Sequence, residues 1–204
     1  GDVMYADINN DGVINDGDNT LNDHGDKVLL GNSTPRYNFG LNLDAAWKGF
    51  DLKVFFQGTL KRDYMPSDGA MMFWGSVGYW QTNFFESHLD YFRPEGTDSP
   101  LGANVNGYFP RPVQDNKNRK AQSRYMQNAA YCRLKNVTLG YTLPMQLTNK
   151  FFVNNLRLFV SAENLFTITS LRDTFDPETI GVGDWDGCTY PLSKTFSFGL
   201  SATF

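Results

Sequence analysis

The last residues of the chain read Lys194-Thr195-Phe196-Ser197-Phe198-Gly199-Leu200-Ser201-Ala202-Thr203-Phe204. Phe196, Phe198, Leu200, Ala202 and Phe204 share one parity, and Thr195, Ser197, Gly199, Ser201 and Thr203 share the other. That is the period of a strand with one apolar face and one face of small polar residues. After Lys194 the polar face carries no charge. A water-soluble edge strand protects itself with Lys, Glu or Pro, whereas this one ends on a bare aromatic. The pattern predicts a strand paired on both sides in a closed barrel, with large side chains in lipid and small ones facing a lumen.

Composition agrees with such a strand and excludes other classes. The 204 residues are 41% hydrophobic and 15% aromatic, with a net charge of -4 and a mean hydropathy of -0.42. No run approaches the roughly 18 to 20 apolar residues of a spanning helix, but a barrel strand needs only about 9 to 11, alternately apolar. A spanning barrel therefore has the hydropathy of a soluble protein. Lys and Arg total 18 against 22 acids, and Lys117 to Lys120 is the densest basic stretch, so no nucleic-acid partner is expected. The chain begins with Gly1 and no signal peptide, which leads us to expect a piece of a longer protein.

Working back toward the start, three further alternating stretches lead to the same kind of sheet. At 37–60, Tyr37, Phe39, Leu41, Leu43, Ala45 and Trp47 share one parity, Lys48-Gly49 turns, and Phe50, Leu52, Val54 and Phe56 resume it. This is a hairpin with Trp47 and Phe50 beside its turn, where a membrane interface holds aromatics and a soluble sandwich would have the ends of its core. At 131–143, Val137, Leu139, Tyr141 and Leu143 agree in parity, but Leu134 falls on the other and Arg133 and Lys135 take the outward one. A bulge near Lys135, or a start of the strand above the lipid, reconciles them. At 156–162, Leu156, Leu158, Val160 and Ala162 alternate with Arg157, Phe159 and Ser161. With the final strand this makes five, the strand at 156–162 being the expected neighbour of the last. Asp51, Lys53, Arg157 and Glu163 fall on the inward parity, where cross-strand ion pairs are expected rather than acid–base chemistry.

The intervening segments are long. Near the start stands Asp7-Ile8-Asn9-Asn10-Asp11-Gly12-Val13-Ile14-Asn15-Asp16-Gly17-Asp18. Side-chain oxygens at positions 1, 3 and 5, Gly at 6 and an acid at 12 match a calcium loop of the EF-hand type. Asp7, Asn9, Asp11, the Val13 carbonyl, Asn15 and Asp18 are the candidate ligands of a structural calcium ion. A metal-free Asn/Asp/Gly turn cluster is the alternative. The stretch 61–129 is rich in aromatics, with a short helix expected within 79–92. Trp74 and Trp80 are its candidate cargo contacts, against the simpler reading that these rings form the loop's own core. A Gly/Asp-rich loop covers 170–192. His24 and His88 lie far apart on loops, without metal-ligand partners, and are expected to be solvated. Cys132 and Cys188 fall on strands that are not neighbours in this count, so free thiols are expected. No catalytic constellation is present and no enzymatic activity is expected.

In a bacterial barrel the last strand runs from the outside to the periplasm. Counting back, the Lys48-Gly49 turn and the 144–154 connection become periplasmic, and 1–36, 61–129 and 170–192 extracellular. Short turns on one side and long loops on the other are what barrels show.

Several stretches then resemble, in order, the C-terminal region of SusC/RagA-type TonB-linked outer membrane proteins. They are Asp7-Ile8-Asn9-Asn10-Asp11-Gly12, Lys48-Gly49-Phe50-Asp51-Leu52, Arg133-Leu134-Lys135-Asn136-Val137-Thr138-Leu139-Gly140-Tyr141, Glu163-Asn164-Leu165-Phe166 and Asp176-Pro177-Glu178. The resemblance implies an all-β transmembrane barrel of about 22 strands in the full protein, of which 1–204 is the C-terminal part. Within it 1–36 is an extracellular loop, 37–60 a hairpin, 61–129 a long extracellular loop and 130–204 the last three strands. It further implies a nutrient importer for oligosaccharides or peptides in the outer membrane of a Gram-negative bacterium. A SusD-like surface lipoprotein would be its lid and TonB its energy source, the plug and TonB-contacting segment being absent here. Phe204, with Phe196 and Phe198, resembles the outer membrane assembly signal. Two other readings stay open: a soluble, secreted, calcium-stabilised β-sandwich binding glycan, and a different barrel such as a siderophore receptor or a porin. The sandwich predicts that the Phe196–Phe204 face packs against another sheet.

Overall fold

A computed structural model describes residues 1–75, 84–181 and 189–204. They fall into two compact units: a sheet unit of Ser33–Tyr64, Gln127–Thr179 and Tyr190–Phe204, and a loop unit of Gly1–Asn32, Met65–Met126 and Ile180–Thr189.

The sheet unit is built on five long strands: β1 (Arg36–Trp47), β2 (Phe50–Lys61), β5 (Tyr131–Thr142), β6 (Asn155–Glu163) and β8 (Thr195–Thr203). They pair in the order β1-β2-β5-β6-β8, all antiparallel. The short β7 (Thr167–Thr169) also pairs with β5, and β3 (Asp63–Tyr64) pairs with β4 (Gln127–Asn128) in a separate ribbon. The expected strands and the expected neighbour of the last strand are therefore found within a residue or so.

Register explains why the alternation was so clean. Ala45, Leu52, Leu139, Val160 and Phe198 stand opposite one another across all five strands, as do Trp47, Phe50, Tyr141, Leu158 and Leu200. These rows face outward with nothing over them: Trp47 is 69% exposed and Phe198 90%. A β-sandwich would cover this face with a second sheet, so the sandwich alternative is overturned by the exposure of Phe196, Phe198, Leu200 and Phe204. Among the described residues no helix is long and apolar enough to cross a membrane.

Two irregularities interrupt the ladder at the end carrying the long loops. Phe55 stands opposite Asn136 but Phe56 opposite Leu134, which leaves Lys135 as the extra residue of a bulge. That is the bulge expected from the parity conflict. It returns Leu134 to the register of Phe56 while Arg133 and Lys135 both reach one acidic segment on the other side. On the next strand, Asn164 adopts a left-handed conformation (φ 52°) just after β6. Residues 164–166 then loop over the bulge, Asn164 N donating to Lys135 O and Leu134 N to Phe166 O, before β7 rejoins β5.

The loop unit has a core of its own. Helix α1 (Met71–Trp74) and single 3₁₀ turns at Glu86–Leu89 and Ser123–Tyr125 bring Phe73, Trp74, Phe109 and Tyr125 together. Phe73 and Tyr125 are fully buried, and their rings meet edge-on with centroids 5.8 Å apart. The short helix expected within 79–92 is represented, in its described part, by the turn at Glu86–Leu89. His88 corrects an expectation: it is buried, its Nδ1 accepting from Phe85 N at 3.0 Å and its Nε2 3.0 Å from Phe73 O. Both ring nitrogens bridge backbone groups, so this histidine is part of the core and not solvated.

Candidate functional site

Three polar constellations among the described residues bear on the sequence expectations. The first lies on the inner face of the sheet. Asp51 of β2 and Arg157 of β6 pair in bidentate fashion across β5, Nε to Oδ1 at 2.8 Å and Nη2 to Oδ2 at 2.5 Å. They meet over Gly140, where any Cβ would collide with both. Arg157 also lies 5.0 Å above the Phe159 ring, which itself rests on Gly199. Two glycines on the strands either side of β6 thus make the floor for one ion pair and one ring. The expected inward pairing holds for Asp51 and Arg157; among the described residues no ion pair involves Lys53 or Glu163.

The second constellation is buried and sits at the bulge. Arg133 donates from Nη2 to Asp176 Oδ1 at 2.7 Å and from Nε to Thr167 Oγ1 at 2.7 Å, and its Nη1 lies 3.0 Å from Glu178 Oε1. Lys135 Nζ completes the group at 3.0 Å from Glu178 Oε2. Arg133 is 4% exposed and the Asp176 side chain 7%. Asp176 also accepts from the backbone amides of Glu178 and Leu192. Burial pushes its carboxyl up, but the Arg133 guanidinium and these amides outweigh it and leave it below the usual carboxylate range. Chemically the cluster is a clamp, holding the segment around Asp176-Pro177-Glu178 against the sheet. Both halves are legible in the sequence, as two cations around a parity break and two acids flanking a proline, but nothing in it joins them.

The third is the expected calcium loop. Its hydrogen bonds are those of a folded Asp/Asn loop: Gly12 N donates to Asp7 Oδ2 (2.9 Å), Asp11 N to Asn9 Oδ1 (3.0 Å) and Val13 N to Asp11 Oδ1 (2.8 Å). Asn15 Oδ1 accepts from Gly17 N at 2.6 Å. Asp18 is placed otherwise, its amide donating to Asp23 Oδ2. The carboxylate that closes on the loop is Asp26, which accepts from Ile8 N at 2.6 Å and Asn15 N at 2.8 Å, while its own amide donates to Asn15 O. Those amides, Asn15 first and then Ile8, hold the Asp26 carboxyl below its ordinary range. Residues 16–25 leave and return between Asn15 and Asp26, pinched at a neck where Gly17 and Gly25 stand back to back at positive φ. Asp26 was missed because this excursion puts it well beyond the twelfth loop position. Among the described residues no three Asp, Glu, His or Cys side chains converge as a metal group. One atom does fit a cation: Asp7 Oδ1 is buried without a hydrogen-bond partner.

The remaining candidates separate. Trp74 is 4% exposed, packed on Tyr125 and Phe109, with Nε1 donating to Ser67 O, which is the setting of a core ring. Trp80 and Cys188 lie outside the described residues. Cys132 is a free thiol. Phe196, Phe198 and Phe204 all stand exposed along β8 or just past its end.

An antiparallel sheet with its large apolar side chains outward, its small and paired polar ones inward, and its long loops folded separately is a segment of a transmembrane β-barrel. Over its whole length the chain is similar to TonB-dependent receptors. It is 28% identical to TonB-dependent receptor P3 of Formosa agariphila over 214 residues and 27% identical to TonB-dependent receptor P26 of the same organism over 218 residues. In each case all of this chain is covered but only 19% and 20% of the receptor, so the chain spans about a fifth of these relatives. Among solved structures it resembles the RagAB peptide importer. In the open-open state the TM-score is 0.57 at 26% identity over 84% of this chain and 17% of that one. In the closed-closed state it is 0.59 at 26% identity over 86% and 18%. No protein-family model matches the chain. The resemblance to SusC/RagA-type receptors read from the motifs is upheld by sequence and by structure.

Proposed function

We propose that the chain is part of a SusC-like importer in the outer membrane of a Gram-negative bacterium. It would move peptides or oligosaccharides into the periplasm with TonB energy, beneath a SusD-like surface lipoprotein. The observation that carries this is the unbroken outward apolar face across five strands, joined to whole-length similarity with TonB-dependent receptors. The likeness to a peptide importer favours peptides over glycans as cargo. Phe204, with Phe196 and Phe198, serves in this reading as the assembly signal. The 61–129 and 170–192 segments lie outside the cell, forming the vestibule that cargo and lid share. Deleting the full-length gene and growing the strain on a panel of peptides and single glycans tests the proposal. Loss of growth on one cargo class, restored by the gene, is expected; undiminished growth on every substrate overturns it, and loss under iron limitation alone points to a siderophore receptor.

A calcium ion in the first loop belongs to the same reading, on the strength of the orphaned Asp7 Oδ1. Asp7, Asn9, Asp11, the Val13 carbonyl and Asn15 would hold it, with Asp26 joining or replacing Asp18 as the closing acid. The ion would supply positive charge among carboxylates and so brace the loop.

A further inference from the structure

The β5–β6 connection has no counterpart in the function above. At the same end of the sheet, β1 and β2 are joined by Lys48-Gly49 alone, whereas residues 143–154 join β5 to β6. Those residues form a helical turn, α2 (Met145–Thr148), followed by a 3₁₀ turn at Asn149–Phe151. Leu143 N donates to Leu156 O, Val153 N to Thr148 O and Asn154 N to Thr203 O, so the connection is tied to both neighbouring strands and is not a free loop. Phe152 adopts a left-handed backbone (φ 59°), which disfavours a bulky residue. Yet its side chain is 89% exposed, and Met145, Leu147 and Phe151 are each more than half exposed. A strained backbone that places an aromatic ring outside any core is unexplained by the fold of the connection.

We infer that Met145, Leu147, Phe151 and Phe152 form an interfacial foot seated in the phospholipid leaflet at the short-connection end of the barrel. Three observations select lipid as the occupant. The foot continues an apolar face: the Trp47–Phe50–Tyr141–Leu158–Leu200 row is followed by Leu156 and Ala202, and the connection begins there. Two residues of strand rise are about 7 Å, which sets the foot at headgroup depth when the row lies at the hydrocarbon edge. The chemistry fits a phosphate-bearing surface, since residues 143–155 contain Lys150 and no acid, and Lys48 lies 4.9 Å over the Trp47 ring at the same level.

The inference rests on the barrel reading, and its test separates the two. In the full-length protein, with its native cysteines replaced by serine and reconstituted in phospholipid nanodiscs, nitroxide labels are placed singly at M145C, F151C and F152C. A label at F198C reports the lipid face and one at D98C reports water. Labels on the foot are expected to show an oxygen-to-nickel-chelate collision ratio about tenfold above the Asp98 position, approaching the Phe198 position. Ratios equal to the Asp98 position overturn the foot, and labels shielded from both reagents assign the surface to a protein partner instead, which also overturns it. A water-like ratio at F198C itself would overturn the barrel reading, independently of the foot.

Discussion

The same residue types are used in opposite senses in the two units. In the loop unit, Phe73 and Tyr125 are fully buried and stack against Trp74 and Phe109. In the sheet unit, Phe196, Phe198, Phe204 and Trp47 stand exposed, while the other face holds Ser197, Gly199, Gly140 and the Asp51–Arg157 pair. An aromatic ring is driven out of water in both cases. What differs is the phase that receives it: a protein core in the loop unit and, in the barrel reading, a bilayer in the sheet unit. The sheet unit has conventional interior groups as well: Tyr64 and Phe175 are buried and meet edge-on, and the Arg133 clamp is closed off from water.

The clamp is where the contrast is broken most severely. Replacing Arg133 with Met takes the cation from the Asp176 carboxylate, whose side chain is 7% exposed, while Glu178 keeps Lys135, and destabilises by about 3 kcal/mol, the lower end for a broken buried pair. Faster amide exchange over 171–180 in the full-length protein, with exchange in β6 and β8 unchanged, is the expected result. The clamp also gives a pH dependence with a definite sign. Asp176 has a depressed carboxyl pKa, so its contribution is fully present above about pH 4, the ordinary range of Asp. It is lost as pH falls through the depressed value. Protection over 171–180, measured as exchange relative to the intrinsic rate at each pH, is therefore expected to fall on acidification, and protection that strengthens toward low pH would contradict this.

Truncating one aromatic in each unit sharpens the comparison itself. Phe73→Ala opens a cavity in a closed core and is expected to destabilise the loop unit by about 3–5 kcal/mol. Phe198→Ala removes a ring that is 90% exposed and is expected to change the barrel's heat resistance on gels little. Phe198→Arg, by contrast, places a charge in the apolar row and lowers stability in bilayers by about 2–4 kcal/mol if the row lies near the midplane. A neutral Phe198→Arg in bilayers would mean that this face does not meet lipid.

How much of this was legible in the sequence follows the same division. Strands facing lipid on one side must alternate strictly, because one slipped residue moves every large side chain into the lumen. Period two therefore holds within each long strand, and even the break at Lys135 is readable as a bulge. The loop unit has no period. Its core joins Phe73 to Tyr125 through irregular backbone, so Trp74 could not be told from a cargo contact, nor His88 from a solvated side chain. The partners of Arg133 were hidden for a related reason: Asp176 and Glu178 lie some forty residues on, in a segment whose path depends on the bulge it fills.

The smallest effect tests where the calcium loop ends. The EF-hand count names Asp18, whereas the structure sets Asp26 against the Ile8 and Asn15 amides, with residues 16–25 pinched off between Gly17 and Gly25. A weak extracellular-type site with a dissociation constant of roughly 0.1–1 mM, in about 2 mM calcium, adds only about 0.6–1.8 kcal/mol. That gain is expected as a calcium-dependent rise in the melting temperature of the loop unit in the full-length protein, abolished by chelator. Asp26→Asn removes it, because the amide keeps the shape of the carboxylate but carries no charge for the ion. Asp18→Asn, at the rim of the excursion, leaves it in place. The reverse pattern would restore the twelfth-position count, and a melting temperature blind to calcium in the wild-type protein would make the loop a metal-free turn whose buried Asp7 oxygen is met by water.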